Sequence, residues 1–372
     1  MKRFLVYGLS NNWGGVEAII TSIIIRLQDT CLFDIIVSNG ICSYEDKYIA
    51  ENVKFIHTMS WGENPKKFEK SLKVIFLQNT YDYVWINGCV MSNRTIVSAT
   101  KKYSLARIIT HSHGSSYEER NTLKRFVLLA LHYLNRPFYY KNTDFPCMCS
   151  VKSGRWYYGE RYVEKKHVHY VKNGIDLQRF RYDKNVRLKY RNLFGIDDEL
   201  VLFHAGRLTS VKNQRFIIDI LKRLLDERVN SKLFIAGDGE LREELEEYAN
   251  QRGVINNVCL LGSRDDVVGL YQMADIFLLP SFHEGFPVTL VEAQATGLPC
   301  VVSTGVSDET NLTGYVRYVS LRDDISVWVR NVVDLIDETI DRSNVYKRLY
   351  KLRYDIEQVA NDFMTYIGNS TL

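Results

Sequence analysis

No apolar run in the 372-residue sequence reaches the roughly eighteen residues that a membrane-crossing helix needs. The start, Met-Lys-Arg and then Phe4 to Leu9, has the outline of a signal peptide, but Ser10-Asn11-Asn12 ends the apolar stretch too early. It reads as a first β-strand. Cysteine is present seven times, an odd number without regular spacing, which excludes a secreted disulfide framework. Cys147 and Cys149 are one residue apart with no matching second pair, so they do not read as a zinc site. Reduced thiols in a cytosolic protein are expected. A dinucleotide fingerprint is missing, because Gly8, Gly14 and Gly15 do not fit G-x-G-x-x-G, and no P-loop Lys-Ser/Thr occurs. Proline is scarce, at 6 residues, and collagen-like or disordered readings fail on composition.

What is present is a globular composition, 46% hydrophobic and 25% charged, in a chain too long for one ordinary core. Two domains are expected. The formal net charge of +4 hides an uneven distribution. Residues 101–172 hold fourteen Lys/Arg against five Asp/Glu, and thirteen of those seventy-two residues are Phe, Tyr or Trp. Residues 173–372 are net acidic, with twenty-four basic and thirty acidic residues. A basic, aromatic stretch attracts something anionic and partly apolar. Nucleic acid is disfavoured as that partner, because the basic excess is local.

The pattern along the chain alternates. Strands are expected at Phe4–Leu9, Phe33–Val37, Val53–Ile56, Tyr83–Ile86, Arg107–Thr110 and Val168–Val171, with helical patterns between most of them. Val16, Ile19, Ile20, Ile23 and Leu27 form one apolar helix face. Thr122–Tyr140 reads as a helix carrying Lys124, Arg125 and Arg136, with Lys141 just beyond it, among Leu, Phe and Tyr. A membrane-facing surface and an ordinary packed helix with solvated cations both fit that stretch. From Leu200 the alternation is cleaner, with strands at Leu200–Ala205, Lys232–Ala236, Val258–Leu261, Ile276–Leu279 and Cys300–Ser303. Helices are expected at Gln214–Glu227, Leu241–Gln251, Asp266–Met273 and Val288–Thr296. The fold class is therefore α/β, two Rossmann-like doubly wound domains, 1–172 and 173–354, with the hinge near 172–182.

In such sheets ligands bind beyond the carboxyl ends of the strands, and the chemistry-bearing residues fall in those loops. Arg207 follows the strand Leu200–Ala205, and Lys212 precedes the next helix. Two cations at a helix start suit a diphosphate, the fork of Arg complementing the point charge of Lys. Two solvated surface cations fit the same spacing. Glu284 lies in the loop after Ile276–Leu279, and Glu292 in the second turn of a helix beginning at Pro287. Carboxylates there can accept hydrogen bonds from sugar and ribose hydroxyls, or they can be a cap and a solvated side chain. Gly14-Gly15 allows close backbone approach to an anionic or sugar group, or makes a simple turn. His111 and His113 flank Ser112, and no third metal ligand accompanies them.

Taken together, Ala205-Gly206-Arg207-Leu208 with Lys212-Asn213, Ile235-Ala236-Gly237-Asp238-Gly239, Leu261-Gly262, and Pro280-Ser281-x-x-Glu284-Gly285-Phe286-Pro287 running to Glu292-Ala293 resemble a family. It is the retaining glycosyltransferases of GT-B architecture numbered four, also called glycosyl transferases group 1. Gly14-Gly15-Val16-Glu17 and His111-Ser112-His113 are most similar to its exopolysaccharide and capsule branch.

The resemblance implies transfer of a sugar from a nucleotide diphosphate sugar, by default a UDP-sugar, to a saccharide or lipid-linked saccharide acceptor, without metal or other cofactor. It implies that Arg207 and Lys212 hold the diphosphate, Glu284 the donor sugar and Glu292 the ribose. By the same resemblance His113 would reach the reacting sugar, with His111 as the next candidate. Backbone N–H groups of Phe286, Pro287, Val288 and Thr289 would approach sugar and phosphate, except that Pro287, where most members have Gly, has no N–H to give. Gly262 to Arg264 would line the base. Gly206 and the loop Gly237-Asp238-Gly239 would shape a cleft closed between the domains, and Asn173 ends the strand that leads into the hinge. The last helix, within 355–372, would return to the first domain. A cytoplasmic protein held peripherally at the inner face of the plasma membrane is expected. A nucleotide-sugar epimerase of the same architecture and a non-catalytic nucleotide-sugar-binding protein are the alternatives.

Overall fold

The computed structural model describes residues 1–47, 51–114, 122–338 and 340–369. The chain divides into two compact units, Met1–Asn173 with Ile356–Leu372, and Gly174–Asp355. The sequence reading had put the divisions one residue earlier.

The first unit holds seven strands among its described residues: β1 (Lys2–Tyr7), β2 (Cys31–Ser38), β3 (Val53–Thr58), β4 (Tyr83–Gly88), β5 (Arg107–Ser112), β6 (Phe145–Met148) and β7 (His169–Tyr170). They form one parallel sheet in the order β3-β2-β1-β4-β5-β6-β7. Such a sheet is buried on both faces, so its strands read as near-continuous apolar runs. Phe4 stacks between Phe33 (5.0 Å) and Tyr83 (4.9 Å) at its centre. β1 starts and stops two residues earlier than expected. Lys2 at its start joins Asp82 in an ion pair at 3.2 Å. Gly8 leaves the strand at φ +98°, where a Cβ would lie 1.8 Å from the carbonyl oxygen of Asn87.

β6 was not anticipated. Pro146 interrupts its apolar run and cannot donate to a ladder. The Tyr158 hydroxyl occupies that seam, donating to the Thr110 and Cys147 carbonyls at 2.7 and 3.0 Å. The helix Ile356–Asn369 packs onto this unit, with Phe363 stacked on Trp85 at 4.6 Å and Tyr366 on His169 at 4.2 Å. The last three residues of the stretch 355–372, and residues 115–121 of the basic stretch, lie outside the described residues.

The second unit holds β8 (Leu200–Ala205), β9 (Ser231–Ala236), β10 (Val258–Gly262), β11 (Ile276–Leu279), β12 (Cys300–Ser303) and β13 (Val316–Val319), ordered β10-β9-β8-β11-β12-β13 and all parallel. The topological switch falls between β8 and its two neighbours, β9 and β11, the position where ligands bind in open α/β sheets. The helix Gln214–Asp226 turns Ile217, Ile218, Ile220, Leu221 and Leu224 into the core. The helix Val288–Ala295 begins one residue after Pro287, which serves as its N-cap, and Gly297 (φ +67°) follows its end.

Candidate active site

In the second unit, the loops after β8 and β11 bring the two halves of the expected donor site into contact. Lys212 lies in a tight turn, Ser210–Lys212, closed by Asn213 in a left-handed conformation at φ 54°. Asparagine tolerates that conformation, and its side chain also donates to the Pro280 carbonyl at 3.3 Å. The Lys212 ammonium consequently forms an ion pair with the Glu284 carboxylate, both side chains being largely buried. The diphosphate-binding and sugar-binding candidates are thus partners of each other. A phosphate arriving at Lys212 competes with a carboxylate already placed there.

Arg207 is exposed, and its backbone is held from two sides. Its carbonyl accepts from Gln214 Nε2 at 2.9 Å, and Gln214 also meets the buried His204 at 3.3 Å. Burial holds the His204 imidazole down at about 4, so it is neutral. The backbone N–H groups of Gly206 and Leu208 donate to Ala236 and Asp238 at 2.9 and 3.0 Å. Gly237 and Gly239 are required by this approach: a Cβ at Gly237 would lie 2.0 Å from the Gly206 oxygen, and one at Gly239 2.4 Å from the Leu208 oxygen. These glycines therefore shape the site by letting the Arg207 loop sit against the end of β9.

Glu284 is fixed by its backbone, which donates to the Gly305 carbonyl at 3.1 Å. Phe286 anchors the same loop from the core, stacked on Tyr354 at 5.7 Å. The following helix has no side-chain cap, and Pro287 offers no N–H. The hydroxyl of Thr289 is buried with no hydrogen-bond partner among the described residues. Glu292 is partly buried and accepts from the Tyr271 hydroxyl at 2.9 Å. Burial raises its carboxyl from the ordinary 4.5 to about 7, against the smaller opposing effects of Tyr271 and Arg179. Arg264 is exposed and pairs with Asp266 at 2.7 Å.

The Glu292 shift has a sign that can be checked. The folded chain binds this proton more tightly than the unfolded chain, so stability falls as pH rises from about 4.5 towards 7. Glu292→Gln keeps an acceptor for Tyr271 and has no proton to lose. It is expected to melt higher than the wild type at about pH 8, by on the order of 1–3 kcal/mol, and to match it near pH 4.5. Parallel melting temperatures across that range would refute the burial of a charged Glu292.

In the first unit, Gly14 is the N-cap of the helix Gly15–Leu27 in an extended conformation, and Glu17 reaches back to the Ser10 N–H at 2.8 Å. The loop thus leaves the first N–H groups of a thirteen-residue helix without a side-chain cap. His113 follows β5, and its Nε2 meets Asn87 Oδ1 at 3.0 Å, so that nitrogen carries the proton. Burial depresses its imidazole to about 3. It can offer a neutral hydrogen bond and no charge. His111 corrects the sequence reading: it has no accessible surface, and its ring stacks parallel to Trp85 and beside His113, 4.0 Å away. It is a core histidine of β5. Asn173 is buried at the last position of the first unit.

Tyr271, Gln214 and His204 were not singled out from the sequence, and Glu17 entered only as the end of the Gly14-Gly15-Val16-Glu17 motif. His204 was detectable in principle as the one polar residue in the apolar run Leu200–Ala205. Tyr271 and Gln214 sit at ordinary positions of helix patterns, and nothing local marks them.

Two parallel, doubly wound units define the GT-B architecture of glycosyltransferases. Residues 186–351 match the family Glycosyl transferases group 1. The second unit therefore belongs to that family, and the chain is a glycosyltransferase. Over 377 aligned residues it is 28% identical to a putative glycosyltransferase, EpsF, of Bacillus subtilis, covering 100% of this chain and 97% of that one. A 148-residue stretch is 33% identical to an Escherichia coli UDP-Gal:alpha-D-GlcNAc-diphosphoundecaprenol alpha-1,3-galactosyltransferase, covering 39% of this chain and 38% of that one. Among solved structures, Anabaena HepE in complex with UDP and glucose aligns with a TM-score of 0.80 at 17% identity, over 99% of this chain and 100% of that one.

Proposed function

We propose that this glycosyltransferase moves a sugar, with retention at the anomeric carbon, from a UDP-sugar to a lipid-linked saccharide in bacterial surface polysaccharide synthesis, at the inner face of the membrane. The observation that carries the donor half is the Lys212–Glu284 ion pair beside the Arg207 loop. A cation for the departing diphosphate and a carboxylate for the sugar hydroxyls meet at one point, beyond the ends of β8 and β11. The arriving diphosphate takes over Lys212, and Glu284 is released to accept from the sugar. Arg207 adds a second cation. The uncapped start of the helix Val288–Ala295, with the unpartnered Thr289 hydroxyl, adds donors for phosphate or sugar oxygens. Glu292, held by Tyr271, accepts from the ribose hydroxyls. In the first unit, neutral His113 and the N–H groups after Gly14-Gly15 serve the sugar and acceptor side.

Catalysis here is electrostatic. The bond between the anomeric carbon and the diphosphate oxygen breaks with its electrons on the oxygen, the acceptor hydroxyl oxygen bonds to that carbon and its proton passes to the departing diphosphate, and preorganised cations stabilise the leaving charge without a metal. The Escherichia coli relative whose name states a diphosphoundecaprenol acceptor and a UDP-sugar donor supports the choice of substrates, as does the UDP complex of a structural neighbour.

The test is a thermal-shift series with UDP, GDP and their sugars. UDP at a hundredfold excess over its dissociation constant should stabilise the chain by about 2.7 kcal/mol, a rise of several degrees. A rise with GDP alone would overturn the choice of nucleotide.

A further inference from the structure

The helix Thr122–Asn142 is inside out. Its buried residues are His132, Asn135 and Tyr139, two of them polar. His132 Nδ1 accepts from the Met91 N–H at 2.9 Å, and Asn135 donates to the Met91 carbonyl at 2.7 Å while accepting from Arg94. At 3.6 residues per turn the opposite face holds Leu123, Phe126, Val127, Ala130, Tyr133, Leu134 and Pro137. That face points away from the unit: Leu123 is 74% exposed, Phe126 71% and Leu134 67%. A surface helix normally presents the reverse pattern, with apolar residues inward and charge outward.

The charges around this face are mostly basic, with the exposed Glu160 and Glu164 of the neighbouring helix as the acidic exceptions. The helix contains four Lys or Arg and no Asp or Glu. Its second half packs against the helices Val151–Tyr158 and Glu160–Lys165, through Arg136 on the Tyr157 carbonyl at 3.1 Å and through Tyr140 stacked on Tyr162 at 4.4 Å. Those helices and the residue after them add the exposed Arg161, Lys165 and Lys166. From residue 122 to 172 the balance is ten basic to three acidic residues.

We infer that this face inserts into the headgroup and upper acyl region of an anionic lipid leaflet, with Leu123, Phe126, Val127 and Leu134 as the inserted side chains and Lys124, Lys141 and their basic neighbours on the phosphates. An apolar stripe bordered by cations is the signature of a helix lying in the membrane interface. A second copy of the chain is a poorer occupant, because it would bring the same positive border against this one. The inference rests on the membrane-facing part of the proposed function and not on the assignment of the donor.

The test uses the full chain and vesicles of phosphatidylcholine, with and without phosphatidylglycerol, in flotation at low and high salt. Wild type should float with the anionic vesicles at low salt and be released as salt rises. The double variant Phe126→Gln/Leu134→Gln should bind them roughly a hundredfold more weakly, at about tenfold per side chain. Lys124→Gln/Lys141→Gln should lose roughly tenfold or more and show a weaker salt dependence. All variants should keep the wild-type melting temperature and UDP binding, because none of these residues belongs to the donor site. Failure of the wild type to bind at low salt overturns the membrane reading. Binding by the wild type that Phe126→Gln/Leu134→Gln leaves unchanged overturns this face alone. A sedimentation dimer of the wild type that dissociates in that variant assigns the face to self-association and likewise overturns it. Loss of UDP binding in the wild type would sink the donor assignment while leaving the vesicle result standing.

Discussion

Lys212→Ala should lower turnover by roughly 10²–10³, the loss seen when one key donor to a developing oxyanion is removed. The ammonium is held by a turn that ends in a left-handed asparagine, and it is already paired with Glu284. Once the bound diphosphate has displaced Glu284, no further reorganisation is needed when charge builds on the leaving group. The variant leaves Glu284 without its cation in a largely buried position, so some stability is also lost, about 1–3 kcal/mol. The chain should still unfold cooperatively. Transfer of a labelled sugar, read beside a melting curve, separates the two effects. Near-wild-type transfer by a folded Lys212→Ala would refute the role given to this residue. Lys212→Arg keeps the charge and changes its shape, so it should recover part of the rate if charge is what matters.

The second large effect is expected at Gly237. An alanine there must adopt φ near +138°, and its Cβ would lie 2.0 Å from the Gly206 oxygen. Either the end of β9 or the Arg207 loop must move. The expected cost is about 2–4 kcal/mol, with weaker nucleotide binding in whatever folds, because Arg207 shifts with Gly206. Gly195 provides the control: it also has positive φ (+58°) but nothing within 4 Å of a Cβ. Gly195→Ala should cost about 1 kcal/mol and leave nucleotide binding intact. If Gly237→Ala were no worse than Gly195→Ala in both melting and calorimetry, the close approach would not be what demands glycine.

These contacts show what could be read from the sequence and what could not. β8, β11 and β12 lie where their apolar runs ended in turn residues, because a parallel strand buried on both faces leaves an uninterrupted run. β13 and β6 were passed over. β6 contains Pro146, whose missing N–H makes the segment resemble a loop until the Tyr158 hydroxyl is seen at the seam. In the candidate site, Arg207, Lys212, Glu284 and Glu292 were legible by type and spacing, since loops after parallel strands are where such chemistry collects. Their supports were not. Tyr271 reaches Glu292 from twenty-one positions earlier, and the Lys212–Glu284 pair spans seventy-two.

Whether the aromatic half of the basic stretch is surface or core was left open by the sequence, for a related reason. Tyr139, Phe145, Tyr157 and Tyr158 are buried in the first unit, whereas Phe126 and Tyr133 are exposed. Composition counts aromatic rings without knowing which face of a helix is packed. By itself the sequence determined the alternation of strands and helices, the family-like loops of the second unit and the local excess of positive charge. All three are carried by neighbouring residues. Only the tertiary structure decided that His111 is core, that Lys212 and Glu284 are partners, that glycine serves the Arg207 loop, and that the helix Thr122–Asn142 turns its polar side inward. Each of these depends on a surface supplied by residues far away in the chain, and a helix or strand pattern does not say which surface that will be.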